Sequence, residues 1–285
     1  MEKVKIIECP RDAMQGLHDF IPTKVKADYI NHLLTVGFDT LDFGSFVSAK
    51  AIPQLKDTEE VLKLLNLSNT STKLLAIIAN ERGAENASKF EEINYFGYPF
   101  SISETFQQRN TNTSIDGSLK RLENICNIAS KSNQEVVTYL SMGFGNPYGD
   151  PWNPDIIIQW AERLNALLGI KILALSDTIG VANPTSITEI LKSILPALPK
   201  VEIGVHLHTT SETYSEKVEA AYNAGCRRFD GAIRGFGGCP MAEDELVGNM
   251  PTEMMLHWFE KNNVSTGVNK QKLEQAIQMS MPIFN

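Results

Sequence analysis

The chain has 285 residues, 42% hydrophobic and 21% charged, which is ordinary for a globular protein and supplies ample apolar material for a sizeable core. A formal net charge of −8 without a basic stripe argues against a nucleic-acid groove, and no apolar run approaches the roughly 20 residues that span a bilayer. Four scattered cysteines (Cys9, Cys126, Cys226, Cys239) contain no C-x-x-C pair, so a disulfide framework is not expected and a reducing, cytoplasmic setting is.

In chain order, short β-rich runs alternate with amphipathic stretches. A strand is predicted at 4–9, so close to Met1 that a leader segment has no room ahead of it. A helix follows at 24–36, ending at Gly37, then a strand at 40–43 and a helix at 57–67. A strand at 74–78 leads to a segment at 83–90 with a thin apolar face, and the next strand is 95–102. The helix at 114–130 begins at a Ser or Thr cap, a strand follows at 135–141, and the helix at 155–168 stops at Gly169. Strand 171–175, helix 185–195 after Pro184, strand 202–208, helix 213–224 before Gly225 and strand 228–233 complete the series. A helix starts near Thr252 and another is expected at 268–281, packing across a barrel end or onto a partner.

Eight strands, each followed by a helix and without a linker, fit an α/β fold: a single (β/α)8 TIM barrel over residues 1–285 with a C-terminal helical extension. No glycine-rich dinucleotide fingerprint follows the first strand, which weakens the open-sheet alternative. In such a barrel, chemistry collects at the C-terminal strand ends.

His206 and His208 lie two apart on one predicted strand, so both imidazoles are expected on one face; alone, the pair reads as partly buried, hydrogen-bonded structure rather than as a cation site. After the first strand, Asp12 offers a hard anionic oxygen and Arg11 a fixed fork of donors, although an ion pair is the plainer alternative. Asp42, after the second strand, either takes part in catalysis or holds the arginine. Ser103-Glu104-Thr105-Phe106 reads as a helix cap or a site element, and Ser176-Asp177-Thr178-Ile179-Gly180 as a turn or a histidine-orienting segment. The glycine-dense loop around 234–250 is expected to act as a lid, with Cys239 at its tip as a proton donor or an incidental thiol. Asn249 is either the cap of the last helix or an amide at the rim. Together, Asp12, His206, His208 and Asn249 make a mixed oxygen and nitrogen set with one negative charge, suited to Mg²⁺ or Mn²⁺.

These residues resemble the 3-hydroxy-3-methylglutaryl-CoA lyases, within the wider barrel metallolyases. The anchors are Pro10-Arg11-Asp12, Gly44-Ser45-Phe46-Val47-Ser48, Ser103-Glu104-Thr105-Phe106, Ser176-Asp177-Thr178-Ile179-Gly180, Val205-His206-Leu207-His208, Gly237-Gly238-Cys239-Pro240 and Gly248-Asn249. The resemblance implies a TIM barrel that cleaves 3-hydroxy-3-methylglutaryl-CoA to acetoacetate and acetyl-CoA. It implies a divalent cation on Asp12, His206, His208 and Asn249, and Arg11 polarising the thioester carbonyl. Asp12 or His206 would deprotonate the tertiary hydroxyl, and Cys239 would help reprotonate the carbanion. Catalytic residues are therefore expected at Arg11, Asp42, His206 and Cys239, and substrate contacts at Arg11, Gln15, Ser45 and Thr178. An acyl-CoA is the expected partner, and a homodimer or higher homo-oligomer is left open.

The chain departs from the family pattern at several positions. Arg11-Asp12-Ala13-Met14-Gln15 stands where the family has Arg-Asp-Gly-Leu-Gln, and a lysine suited to CoA phosphates is replaced near His18. Asp42 stands for a glutamate, Thr209-Thr210 for Asp-Thr, and the segment with Glu243, Asp244 and Glu245 is acidic and one residue longer. These departures keep open a related lyase or aldolase acting on another 3-hydroxy acyl-CoA or hydroxy-oxo acid. A zinc hydrolase barrel and a non-catalytic CoA-ester binder are the readings from other classes.

Overall fold

The computed structural model describes residues 3–238 and 247–284. Its strands are β1 (Lys5–Glu8), β2 (Thr40–Ser45), β3 (Lys73–Ile77), β4 (Ile93–Ser101), β5 (Glu135–Ser141), β6 (Ile172–Ser176), β7 (Glu202–His206), β8 (His208–Thr209), β9 (Arg228–Gly231) and β10 (Gly248–Asn249). Strands β1 to β7 and β9 form a closed parallel barrel, with β9 pairing to β1 across the seam. The predicted (β/α)8 architecture is therefore present.

The predicted strand at 202–208 is broken, and this corrects the one-strand reading of the histidine pair. β7 ends at His206, while His208 belongs to a two-residue antiparallel ribbon in which it pairs with Asn249. The cause is competition for backbone partners. The His206 carbonyl accepts from Asp177 N at 2.9 Å, the last bond on the barrel side, and the Leu207 carbonyl accepts from Met250 N at 3.0 Å, drawing the chain onto the ribbon.

The helices are α1 (Pro10–Gln15), α2 (Thr23–Leu33), α3 (Thr58–Lys63), α4 (Glu81–Ala87), α5 (Glu104–Thr111), α6 (Ile115–Lys131), α7 (Pro154–Leu168), α8 (Pro184–Ala197), α9 (Tyr214–Asn223), α10 (Thr252–Lys261) and α11 (Lys270–Ser280). Their ends follow local chemistry. Ser114 Oγ accepts from Gly117 N at 3.1 Å to start α6, and Asn153 Oδ1 accepts from Ile156 N at 2.9 Å to start α7. Gly169 stops α7 with φ of 65°, a left-handed turn that glycine adopts without steric cost. α3 ends earlier than its apolar pattern suggests, because Asn31 on α2 captures the chain beyond it. Asn31 Nδ2 donates to Leu64 O at 2.9 Å and its Oδ1 accepts from Asn66 N at 2.7 Å.

The barrel interior is divided. Leu75, Ile77, Tyr95, Val137, Tyr139, Ile172 and Ala174, from β3 to β6, make an apolar cluster. The opposite wall carries buried charge, with Asp42 on β2 and Arg228 and Asp230 on β9. The C-terminal extension packs along the barrel beside α2. Asn269 N donates to Val36 O at 2.8 Å, and the Phe284 ring meets Tyr29 edge-on at 5.9 Å. Near the seam, Glu8 is buried with two donors upon it. Ile233 N lies 2.9 Å from its Oε1 and Thr252 Oγ1 donates to its Oε2, so one carboxyl ties β1 to the turn after β9 and to α10. Burial is the largest influence on it and pushes it up to about 8, against those two bonds. Among the described residues, no helix is long and apolar enough to cross a membrane.

Candidate active site

The loops at the C-terminal strand ends enclose a cavity of about 340 Å³, lined in part by Arg11, Asp12, Gln15, Thr178, His206 and His208. An outer groove of about 530 Å³ shares Val47 with it and carries Ser45, Ser48, Lys56, Asn80 and Arg82. Gln15 and Thr178, expected at the substrate, line the inner cavity, whereas Ser45 lines the groove.

Arg11 and Asp12 sit on α1, a helix that sequence periodicity did not signal because six residues span fewer than two turns. Pro10 at its first position presets φ for the helix. Arg11 is gripped from two sides. Its Nε donates to both carboxylate oxygens of Asp42, at 3.1 and 3.0 Å, and its Nη2 also donates to Asp42 Oδ2. Its Nη1 donates to Asp12 Oδ1 at 2.8 Å and to Gln15 Oε1 at 2.9 Å. Gln15 in turn donates to Asp12 Oδ1 at 2.7 Å. Asp42 is therefore buried behind the arginine, with Arg11 between it and Asp12. Burial pushes Asp42 up to about 6 despite Arg11. For Asp12, burial works upward, but the charges of Arg11 and His206 outweigh it and hold the carboxyl below its ordinary range.

The two imidazole rings stand 5.6 Å apart at 61°. Burial, and next the neighbouring His206, bring His208 down to about 4, so its ring is neutral and able to ligate. Burial opposes charge on His206, but the hydrogen bond and charge of Asp230 prevail and raise it. Ligand atoms of Asp12, His206 and His208 all lie within 4.8 Å of one another, and one anionic oxygen with two imidazole nitrogens fits a divalent cation. A second group, Cys9, His206 and Asp230, meets the same distance test. Burial, and then Asp230, push the Cys9 thiol well above its ordinary value, so it is a poor thiolate donor.

Asn249 reaches the site through the ribbon. Its Nδ2 donates to Asp12 Oδ2 and, at 2.8 Å, to Phe236 O, and the first position before α10 is taken by Pro251, so Asn249 is not that helix's cap. Gly237 lies hard against this corner. With φ of 92°, a Cβ there would stand 2.6 Å from Asn249 Nδ2 and 2.7 Å from Asp12 O. Ser103 caps α5, accepting from Phe106 N at 3.1 Å, which is the plainer of its two expected roles. Cys239 and the acidic Glu243, Asp244 and Glu245 lie outside the described residues.

Sequence reasoning missed Lys217 and Asp230. Lys217 on α9 is buried, donating to Asp177 Oδ2 at 3.0 Å and to His208 O at 2.7 Å, so the predicted 176–180 turn bears on His208 through a lysine as well as through the Thr178 backbone, which bonds the ring directly. The only available signal was a lysine on the Val218 and Ala221 side of an amphipathic helix. Asp230 stands 3.2 Å from His206 Nδ1, and its signal was a carboxylate inside an otherwise buried strand.

A family model described as HMGL-like matches residues 3–279. A hydroxymethylglutaryl-CoA lyase of Bacillus subtilis is 36% identical over 279 residues, covering 96% of this chain and 91% of that protein. The crystal structure of the Bacillus subtilis HMG-CoA lyase superposes with a TM-score of 0.92 at 34% identity, covering 100% of this chain and 94% of the other. An HMG-CoA lyase from Acinetobacter baumannii, in complex with coenzyme A and 3-methylmalate, superposes with a TM-score of 0.90 at 30% identity, covering 99% and 91%.

Proposed function

Because this chain belongs to the HMGL-like family, we propose that it is a carbon–carbon lyase that cleaves 3-hydroxy-3-methylglutaryl-CoA to acetyl-CoA and acetoacetate. The observation that carries the reading is the convergence of Arg11, Asp12, His206 and His208 in one cavity at the barrel mouth. Asp12, His206 and His208, with Asn249 beside them, would hold Mg²⁺ or Mn²⁺. When bound, such a cation supplies Lewis-acid polarisation to the hydroxyl and carboxylate of the substrate.

The remaining work falls to the chain. Arg11, immobilised by Asp42, presents its guanidinium to the thioester carbonyl and stabilises the enolate that forms as the carbon–carbon bond breaks. Asp12, whose carboxylate keeps a second oxygen, takes the proton of the tertiary hydroxyl, and that hydroxyl oxygen becomes the ketone of acetoacetate. The enolate carbon of acetyl-CoA then gains a proton, a role that falls to Cys239. Gln15 and Thr178 stand within the inner cavity to contact the acyl group, and Ser45 stands in the groove, where the long carrier would leave it. The described cysteines Cys9, Cys126 and Cys226 are free thiols, which supports the expected cytoplasmic setting.

Incubation with 3-hydroxy-3-methylglutaryl-CoA and Mg²⁺ or Mn²⁺ should release acetoacetate and acetyl-CoA in equal amounts. No turnover by cation-loaded protein sinks the substrate assignment. One observation favours a related acyl substrate as a second reading. His18, where the family carries a lysine suited to CoA phosphates, has a fully exposed side chain beside Asp19. A panel of 3-hydroxy acyl-CoA esters and free hydroxy-oxo acids separates the two.

A further inference from the structure

The two imidazoles of the proposed cation site are fixed in different ways. The His208 ring bonds to the Thr178 backbone, and Lys217 clamps the His208 carbonyl. His206 instead meets a side chain. Residues 206 and 230 are direct partners across β7 and β9, and partners on neighbouring strands point to the same side of a sheet. Both therefore face the barrel interior, where His206 Nδ1 lies 3.2 Å from Asp230 Oδ2. The carboxylate is fully buried, and the Tyr139 ring meets the imidazole in a T-shaped contact with ring centres 5.8 Å apart at 86°.

We propose that Asp230 is a positioning residue that holds His206 as its Nδ1–H tautomer and so presents Nε2 to the divalent cation shared with Asp12 and His208. The inference rests on the cation reading given above. An imidazole that gives its Nδ1 proton to a carboxylate keeps its Nε2 lone pair free, aims it, and binds cations more strongly. A rigid strand pair suits the task, because the donor and acceptor are locked by backbone register and not by a loop. Two residues earlier on β9, the buried Arg228 shares that side of the strand, and its charge is felt by Asp230.

Mn²⁺ titration of metal-stripped protein by calorimetry, with thermal unfolding of each variant, tests this. Asp230→Ala is expected to weaken Mn²⁺ binding about 10–100-fold. Asp230→Asn, whose amide oxygen can still accept from Nδ1, should restore most of that loss. In a His206→Ala background, titrated at millimolar Mn²⁺, Asp230→Ala should have almost no further effect, a dependence that a merely structural role would not produce. The inference is overturned if Asp230→Ala binds Mn²⁺ as the wild type does, or weakens binding equally with and without His206. Should Asp230→Ala not fold, the same cycle with Asp230→Leu, which fills the space but offers His206 Nδ1 no acceptor, decides: a loss seen only when His206 is present supports the role, and equal loss or none rejects it. A wild-type protein that binds no divalent cation overturns the cation reading itself, and this inference with it.

Discussion

Replacing Glu8 by glutamine isolates one buried proton. In the folded chain the carboxyl titrates near 8, against an ordinary value of 4.5, so at neutral pH it is protonated when folded and ionised when unfolded. A raised carboxyl contributes its stability in full below pH 4.5 and loses it as pH rises through 8, because the unfolded chain releases a proton that the folded chain keeps. At about 1.4 kcal/mol for each unit of displacement, the stability lost across that window approaches 5 kcal/mol. Glu8→Gln stays neutral at every pH. It can also keep both contacts, its amide oxygen accepting from Ile233 N and its amide nitrogen donating to the Thr252 hydroxyl. Urea unfolding of both proteins at pH 5, 6, 7 and 8 should show the wild type losing stability relative to Glu8→Gln as pH rises, by several kcal/mol in all. Parallel stability curves over that range would refute the argument and mean that Glu8 is ionised within the fold.

Arg11→Met should lower kcat about 10²–10³-fold, the usual cost of removing a preorganised donor at a developing oxyanion. Cation affinity should change little, and an equal loss of Mn²⁺ binding would show that Arg11 acts through Asp12 alone. The same variant strands Asp42 without its partner, so unfolding should cost about 3–5 kcal/mol less. Gly237→Ala places a methyl against Asn249 and Asp12 in a left-handed backbone; Mn²⁺ affinity should fall at least tenfold, and calorimetry reporting wild-type binding would contradict the geometry. Chelation should abolish acetoacetate formation, and restoring Mn²⁺ at about 100 times its Kd should stabilise the fold by about 2.7 kcal/mol in a thermal melt. A melt indifferent to the cation would count against a site spanning three parts of the chain.

Much of the barrel was legible because strand alternation and helix punctuation are local. Gly169 and Ser114 mark helix ends through backbone conformation and side-chain capping alone, and the structure uses both. The ribbon of His208 and Asn249 was not legible, since two residues carry no period and their partners lie forty residues away. The convergence of the two histidines was correctly expected for an incomplete reason: His206 reaches the site from the barrel and His208 from the ribbon. α1 escaped notice because six residues, opened by a proline, read as a turn. Lys217 and Asp230 are defined by what they touch across strand register and helix packing, and neither contact has a local sequence signature.

The pairing of Asp12 with Asn249 joins positions 237 apart in sequence, at the same seam where β1 meets β9. Bringing such distant points of a flexible chain together costs about 5 kcal/mol of configurational entropy. Contacts of that span form only after the intervening strands have aligned, which makes the seam the late step of assembly and the natural place for the barrel to begin to part. The corner where Asp12 meets Asn249 is thus built from distant parts of the chain. Native-state hydrogen exchange should find the β1–β9 amides opening before those of β4 and β5, so that loss of the corner precedes loss of the fold.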